Sequence, residues 1–152
     1  MIEFELTIKI EKPASDVFAF VADPVNVPKW NYFVMEVRKT SESPLGVGAT
    51  YHQTRKNDSQ DLRVAGFEKD RSVTIETIPP SKPEFSRTMK FSEDNGMTLL
   101  VDRWQLDTGH PKLLQKLAAG RVKSGVEENL GKLKELLETG RTTLQDGRQI
   151  SL

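Results

Sequence analysis

The first residues of the chain alternate between apolar and polar side chains. In IEFELTIKI, residues 2–10, every second residue is apolar, and Glu, Thr or Lys occupies the positions between. A period of two is typical of a β-strand with one buried face and one solvent-exposed face. We therefore predict that the domain begins with a half-buried strand of an antiparallel sheet.

The spacing becomes helical directly after this strand and is then interrupted by prolines. Pro13 suits the first turn of a helix, and the Val and Phe residues that follow it supply an apolar stripe. In VADPVNVPKW, residues 21–30, Asp23 before a proline ends that helix, and Pro28 ends a second, very short one. The sequence thus predicts two small helices at a corner of the fold.

The middle of the chain, residues 33–108, consists of short β-type runs separated by turn signals. The runs are rich in Val, Thr and Phe, and Gly, Pro, Asn and Asp cluster between them. Asn95-Gly96 is a strong signal for a two-residue hairpin turn. Strands joined by turns rather than by helices indicate an antiparallel meander.

The last long pattern covers residues 112–138, which contain no proline and are rich in Leu, Lys and Glu. At about 100° per residue, one side of a helix carries a broad apolar arc. That arc contains Leu114, Ala118, Val122, Val126, Leu130, Leu133, Leu136 and Leu137. We predict one long amphipathic helix that ends near Gly140. Residues 141–152 have little apolar content, so we expect a loose tail after a single domain spanning residues 1–140.

These elements predict an α+β fold in which a curved antiparallel sheet of about seven strands wraps around the C-terminal helix. The ordered segments IKIEKPASDVFAFVADPVNVPKWN, GVGATY, NGMTLLV and LGKLKELLE resemble the START-like (SRPBCC) helix-grip superfamily. The resemblance is to its polyketide cyclase/dehydrase and lipid-transport branch. It implies a deep, largely apolar cavity between helix and sheet, in a family of ligand carriers and aromatic-polyketide cyclases. The family has no universal catalytic motif, so no catalytic residue is assigned.

Composition narrows the possible partners. Lys plus Arg and Asp plus Glu both number 22, so the chain lacks the net basic charge of a nucleic-acid-binding protein. The longest apolar run, VFAFVA, is far too short to cross a bilayer. Cysteine is absent, which fits a reducing compartment. We expect a soluble cytoplasmic protein that binds a small hydrophobic or aromatic molecule and needs no cofactor.

Eight residues are candidates for lining a ligand cavity. An inward glycine at position 125 suggests close approach by another group, and a buried Asn129 would need polar partners. An arginine in an apolar cavity would bind a carboxylate or enolate oxygen. The complete set is Trp30, Tyr51, Arg87, Met89, Trp104, Val122, Gly125 and Asn129. The competing interpretation is that Asn129 lies at a solvent edge and that the strand arginines simply face water.

The two histidines offer little chemistry by their spacing. His52 and His110 are far apart, and neither has a second histidine within a turn or a strand repeat. No metal site is predicted from this spacing. Structural or surface roles are favoured for both.

Three functions remain open. The leading hypothesis is ligand binding in the helix–sheet cavity, as a carrier, sensor or cyclase-like protein. A polyketide cyclase/dehydrase would need an inward acid or base together with an arginine or tyrosine that stabilises an enolate. A protein-interaction or quinone-chaperone module would show a filled core or an exposed apolar patch instead.

Overall fold

The computed structural model describes all 152 residues and contains one seven-stranded antiparallel sheet. Its strands are β1 (Ile2–Ile10), β2 (Val34–Lys39), β3 (Thr50–Arg55), β4 (Ser59–Glu68), β5 (Ser72–Thr77), β6 (Glu84–Asp94) and β7 (Met97–Asp107). Their order across the sheet is β1-β7-β6-β5-β4-β3-β2. The helices are α1 (Ala14–Val21), a 3-10 helix (Pro24–Lys29) and the long α2 (Lys112–Thr139). This architecture confirms the predicted helix-grip fold.

The first and last of these strands in chain order, β1 and β7, lie side by side in the sheet. β1 pairs with β7 in continuous register from Ile2 opposite Leu106 to Ile10 opposite Thr98. At the β6–β7 turn, Asn95 and Gly96 have φ angles of 53° and 76°. Two positive φ angles in succession suit a tight hairpin turn, and the Asn-Gly pair adopts them readily.

The proline-rich corner between α1 and β2 is a capped 3-10 helix. The Asp23 side chain accepts a hydrogen bond from the amide of Val25 at 3.1 Å, which satisfies one of the free N–H groups at the helix start. The helix ends where the Trp30 amide donates to the carbonyl of Val27 at 3.1 Å. Trp30, the residue that follows this helix, is buried in the hydrophobic core.

The two halves of α2 have different surroundings. Leu130, Leu133 and Leu136 in the C-terminal half are buried in the core. Leu114 and Leu117 in the N-terminal half are exposed to solvent. The prediction that Leu114 belongs to the buried arc is therefore wrong, because no other element covers the first two turns of the helix.

The C-terminal segment forms a hairpin where we expected a loose tail. Strands β8 (Arg141–Thr143) and β9 (Gln149–Ser151) pair with each other. The hydroxyl of Thr142 donates to the carboxylate of Glu135 on α2 at 2.6 Å, and Leu144 is buried in the turn. The hairpin is held by one buried apolar side chain and several polar contacts. Contacts of this kind leave no periodic apolar pattern in the sequence, so the hairpin could not be predicted from it.

Candidate functional site

A cavity of about 400 Å³ lies between α2 and the sheet, next to the proline-rich corner. Half of the residues that line it are hydrophobic. Seven of the eight candidate residues lie in its wall: Trp30, Arg87, Met89, Trp104, Val122, Gly125 and Asn129. Together with the other lining residues, they show that strands β2 to β7, the corner and the middle of α2 surround one shared space.

Tyr51 is the candidate that does not line the cavity. Its side chain is only 1% exposed and packs within the hydrophobic core, opposite Leu62 in the β3–β4 pairing. Burial raises the pKa of the Tyr51 hydroxyl, and the nearby Asp23 carboxylate raises it further. On the same face of β3, two residues further along, Gln53 occupies the cavity wall instead. Tyr51 therefore packs in the core beside the cavity, on the strand face from which Gln53 reaches the cavity wall.

A buried ion pair forms the polar centre of the cavity wall. Arg87 on β6 donates from Nε and Nη2 to the two carboxylate oxygens of Asp102 on β7, at 2.8 and 2.6 Å. Asp102 shares its strand face with the buried Leu100 and Trp104, whereas the neighbouring Arg103 points to solvent. The positive charge of the arginine is thus neutralised inside the protein.

Two indole rings enclose this ion pair. The guanidinium carbon of Arg87 lies 5.3 Å from the centre of the Trp30 ring and 4.7 Å from that of Trp104. These distances are those of cation–π contacts. The Nε1–H groups of both tryptophans are buried and donate to no protein atom. The centre of the wall is therefore aromatic and carries hydrogen-bond donors without acceptors.

The sheet side of the cavity also carries an amide whose orientation is fixed. Gln60 donates from Nε2 to the backbone carbonyls of Lys82 and Pro83, both at 3.2 Å, so its Oε1 is left to accept from Gln53 at 3.0 Å. Backbone carbonyls only accept, and this orients both side-chain amides in turn. Gln53 then presents its Oε1 as an acceptor in the cavity wall. The sequence analysis did not select Gln53, although it shares a strand face with Tyr51.

The outer part of the cavity is polar and open to solvent. We call these residues the rim, and they are Phe33, Arg55, Lys56, Asn57, Asp58 and Arg121. Arg55 donates to both carboxylate oxygens of Asp58 at 2.7 Å. A Cβ atom on Gly125 would lie 3.6 Å from the Phe33 ring, which is an ordinary van der Waals contact. Gly125 thus leaves space beside Phe33, but an alanine would fit there.

Ionisable groups are unevenly placed around the cavity. Among the ionisable residues that line the cavity, only Arg87 is buried, and the others belong to the rim. Its partner Asp102 is also buried but is not one of the lining residues. His52 lies outside the cavity, with Nδ1 2.8 Å from Asp61, and His110 is in an exposed loop. No group of three or more His, Asp or Glu residues is arranged to hold a metal ion.

A long helix held against a seven-stranded sheet, with a cavity between them, defines a helix-grip protein. The family described as "Polyketide cyclase / dehydrase and lipid transport" matches residues 1–138. The chain belongs to this family, as the sequence resemblance predicted. The matched region ends before the C-terminal hairpin.

Solved structures show the same fold at low sequence identity. The protein DR_A0006 from Deinococcus radiodurans superposes with a TM-score of 0.69 at 15% identity, over 91% of this chain and 99% of that one. The di-domain ARO/CYC protein BexL from the BE-7585A biosynthetic pathway gives 0.73 at 15% identity, over 89% of this chain and 46% of BexL. DynU16, from the dynemicin biosynthetic locus, gives 0.68 at 21% identity, over 91% and 48%.

A search of curated proteins found no match. None of the helices is both long enough and apolar enough to cross a membrane.

Proposed function

We propose that the protein binds a small hydrophobic or aromatic molecule in the cavity between α2 and the sheet, as a carrier, sensor or cyclase-like protein. The observation that carries this proposal is the composition of the inner wall. It is built mainly from aromatic and aliphatic side chains, with the buried amides of Gln53, Gln60 and Asn129 between them. The only charged group that lines this inner part belongs to Arg87, which is already paired with Asp102. A volume of about 400 Å³ is in the range of small-molecule sites.

The pairing of Arg87 with Asp102 in the cavity wall favours an uncharged ligand. Asp102 uses both carboxylate oxygens on Arg87, so an anionic ligand would have to compete with a buried partner that is already in place. Separating two buried charges is costly. Flat rings would instead stack against the walls formed by Trp30 and Trp104.

A polyketide cyclase/dehydrase reaction is the second candidate function. It is favoured by the position of Arg87, whose remaining N–H groups could polarise a carbonyl oxygen in the cavity. Acid–base chemistry would also need a free acid or base at the same place. Asp102 is fully engaged and Tyr51 lies outside the cavity, so binding is the better-supported function.

A protein-interaction or quinone-chaperone module has less support, because the space between helix and sheet is not filled by side chains. A cytoplasmic location remains part of the proposal, since a chain without cysteine suits a reducing compartment.

Native mass spectrometry of the purified protein tests the proposal first, by detecting a co-purified small molecule. The second test is a fluorescence titration with 6-propionyl-2-(dimethylamino)naphthalene, a neutral aromatic dye. Gly125→Leu places a side chain in the cavity wall and should weaken dye binding at least about tenfold, the effect of roughly 1.4 kcal/mol. Gly131→Leu makes the same change on an exposed face of α2 where no atom lies within 4 Å, and should bind like wild type. Equal binding by both variants would contradict the proposal.

A further inference from the structure

The turn of the C-terminal hairpin lies against the face of α2 that borders the cavity. Gln145 in this turn places Nε2 3.3 Å from a carboxylate oxygen of Glu128 and 3.4 Å from Oδ1 of Asn129. Asn129 itself is 3% exposed and lines the cavity. A residue beyond the family-matched region thus contacts a buried polar group in the cavity wall.

The direction of these hydrogen bonds follows from Glu128. An ionised carboxylate can only accept hydrogen bonds, so Gln145 must turn its NH2 group towards it. The same NH2 group then faces Asn129, whose Oδ1 accepts. The Nδ2 group of Asn129 is consequently turned away from Gln145, and it donates to no protein atom. Because Asn129 belongs to the cavity wall, this leaves an amide donor available to a bound molecule.

The hairpin is anchored to the rim as well as to the helix. Asp146, next to Gln145, accepts from Lys56 at 3.1 Å. Arg148 donates from Nη2 to the backbone carbonyl of Tyr32 at 3.0 Å. These contacts fix the turn after Gln145, and the buried Leu144 fixes it directly before, so the amide of Gln145 is held against α2.

We propose that Gln145 is a positioning residue that makes Asn129 a hydrogen-bond donor into the cavity, so that the protein selects apolar molecules carrying a neutral carbonyl oxygen. This inference rests on the proposed function. The unpaired N–H groups of Arg87, Trp30 and Trp104 add donors to the same wall. The preferred oxygen is uncharged because Asp102 already neutralises the arginine.

The test compares two ligands of the same shape, 2-acetylnaphthalene and 2-isopropenylnaphthalene, which differ only in having a C=O or a C=CH2 group. We measure their affinities by displacement of the naphthalene dye. Wild type should prefer the ketone about 2- to 10-fold, the ratio expected for one net hydrogen bond. Gln145→Glu places an acceptor beside Asn129, turns Nδ2 outward and Oδ1 towards the cavity, and should abolish or reverse the preference.

The matched control is Gln149→Glu, the same chemical change at an exposed position of the same hairpin, which should keep the wild-type preference. If Gln145→Glu does not fold, Gln145→Leu removes the support of Asn129 and should also reduce the preference. A Gln145 variant that folds and retains the full preference for the ketone overturns the inference.

A second measurement separates this inference from the proposed function. In the ligand-free protein, nuclear Overhauser effects from the Asn129 Nδ2 protons should reach other cavity-lining side chains. If those protons contact Gln145 instead, the inference is wrong even when both ligands bind. If wild type binds neither ligand, the proposed function fails, and the amide orientation still decides whether Gln145 positions Asn129.

Discussion

The cavity has two arginine–aspartate pairs that are alike in geometry and opposite in environment. Arg87–Asp102 is joined at 2.8 and 2.6 Å, and Arg55–Asp58 at 2.7 and 2.7 Å. The side chains of the first pair are 9% and 0% exposed, whereas those of the second are 30% and 41% exposed. Breaking the interior pair would leave an unpaired charge buried away from water. Breaking the rim pair costs little, because water can solvate both of its charged groups. Burial, not distance, decides what each pair contributes.

The same contrast runs along α2. Leu133 is fully buried near the C-terminal end, whereas Leu117, which precedes the rim residue Arg121 by one turn, is 60% exposed. The C-terminal half of α2 therefore contributes leucines to the core, whereas Leu114 and Leu117 in the first turns are exposed.

The largest expected effect is from breaking the interior ion pair. Arg87→Leu leaves the Asp102 carboxylate buried without a partner and should lower the free energy of unfolding by about 3–5 kcal/mol. Arg55→Leu at the rim should cost about 0–1 kcal/mol. Urea denaturation of the two variants measures both values, and similar losses would show that the two environments do not differ as described.

The next largest difference in the free energy of unfolding is expected between two leucine substitutions in α2. Leu133→Ala opens a void in the core and should lower the free energy of unfolding by about 2–5 kcal/mol. Leu117→Ala removes an exposed side chain and should change it by no more than about 0.5 kcal/mol. A loss above 1 kcal/mol for Leu117→Ala, in the same denaturation assay, would mean that the first turns of the helix are covered in solution.

A smaller effect, this time an increase in stability, is expected at Gly125, between the exposed and the buried parts of α2. Gly125→Ala should raise the free energy of unfolding by about 0.5–1 kcal/mol, because alanine favours the helix and its Cβ only contacts Phe33 at 3.6 Å. Gly120→Ala, at an exposed position with no atom within 4 Å, is the control and should give a similar gain. Destabilisation by Gly125→Ala alone would indicate a tighter approach to Phe33.

The smallest effect concerns the titration of the rim pair. The hydrogen bonds from Arg55 lower the pKa of Asp58 below its ordinary value of 3.8. A lowered folded-state pKa stabilises the protein above the unfolded-state pKa, and this contribution is lost as the pH falls through the folded-state value. NMR titration of the Asp58 carboxyl carbon should give a midpoint below 3.8, and Arg55→Leu should move it upward. An unchanged midpoint in the variant would contradict the pairing.

Elements with a strong period could be predicted from the sequence, and so could part of the cavity wall, since seven of the eight candidate residues lie in it. The alternation in residues 2–10 and the apolar arc in residues 112–138 identified the first strand and the long helix, because burial imposes these periods. The inward positions of Gly125 and Asn129 followed from the same helical arc. The family resemblance added the cavity itself.

What escaped prediction depends on contacts between distant residues. In TLLVDRW apolar residues occupy both faces of the strand, so the period could not decide between Asp102 and Arg103. Helical spacing identified the apolar side of α2, but it could not show where along the helix the other elements stop packing against that side. For this reason Leu114 was wrongly expected to be buried. The hairpin depends on polar contacts such as Thr142 with Glu135, which leave no periodic signal.

The central claim is that a small apolar molecule occupies the space between α2 and the sheet, and the methionine methyl groups test it directly. The chain has four methionines, of which Met89 lines the cavity, while Met35 is exposed and lies outside it. In a 13C-methyl NMR titration with 2-acetylnaphthalene, the Met89 signal should shift to saturation while the Met35 signal stays in place. A Met89 signal that does not move, or shifts confined to Met35, would contradict the account.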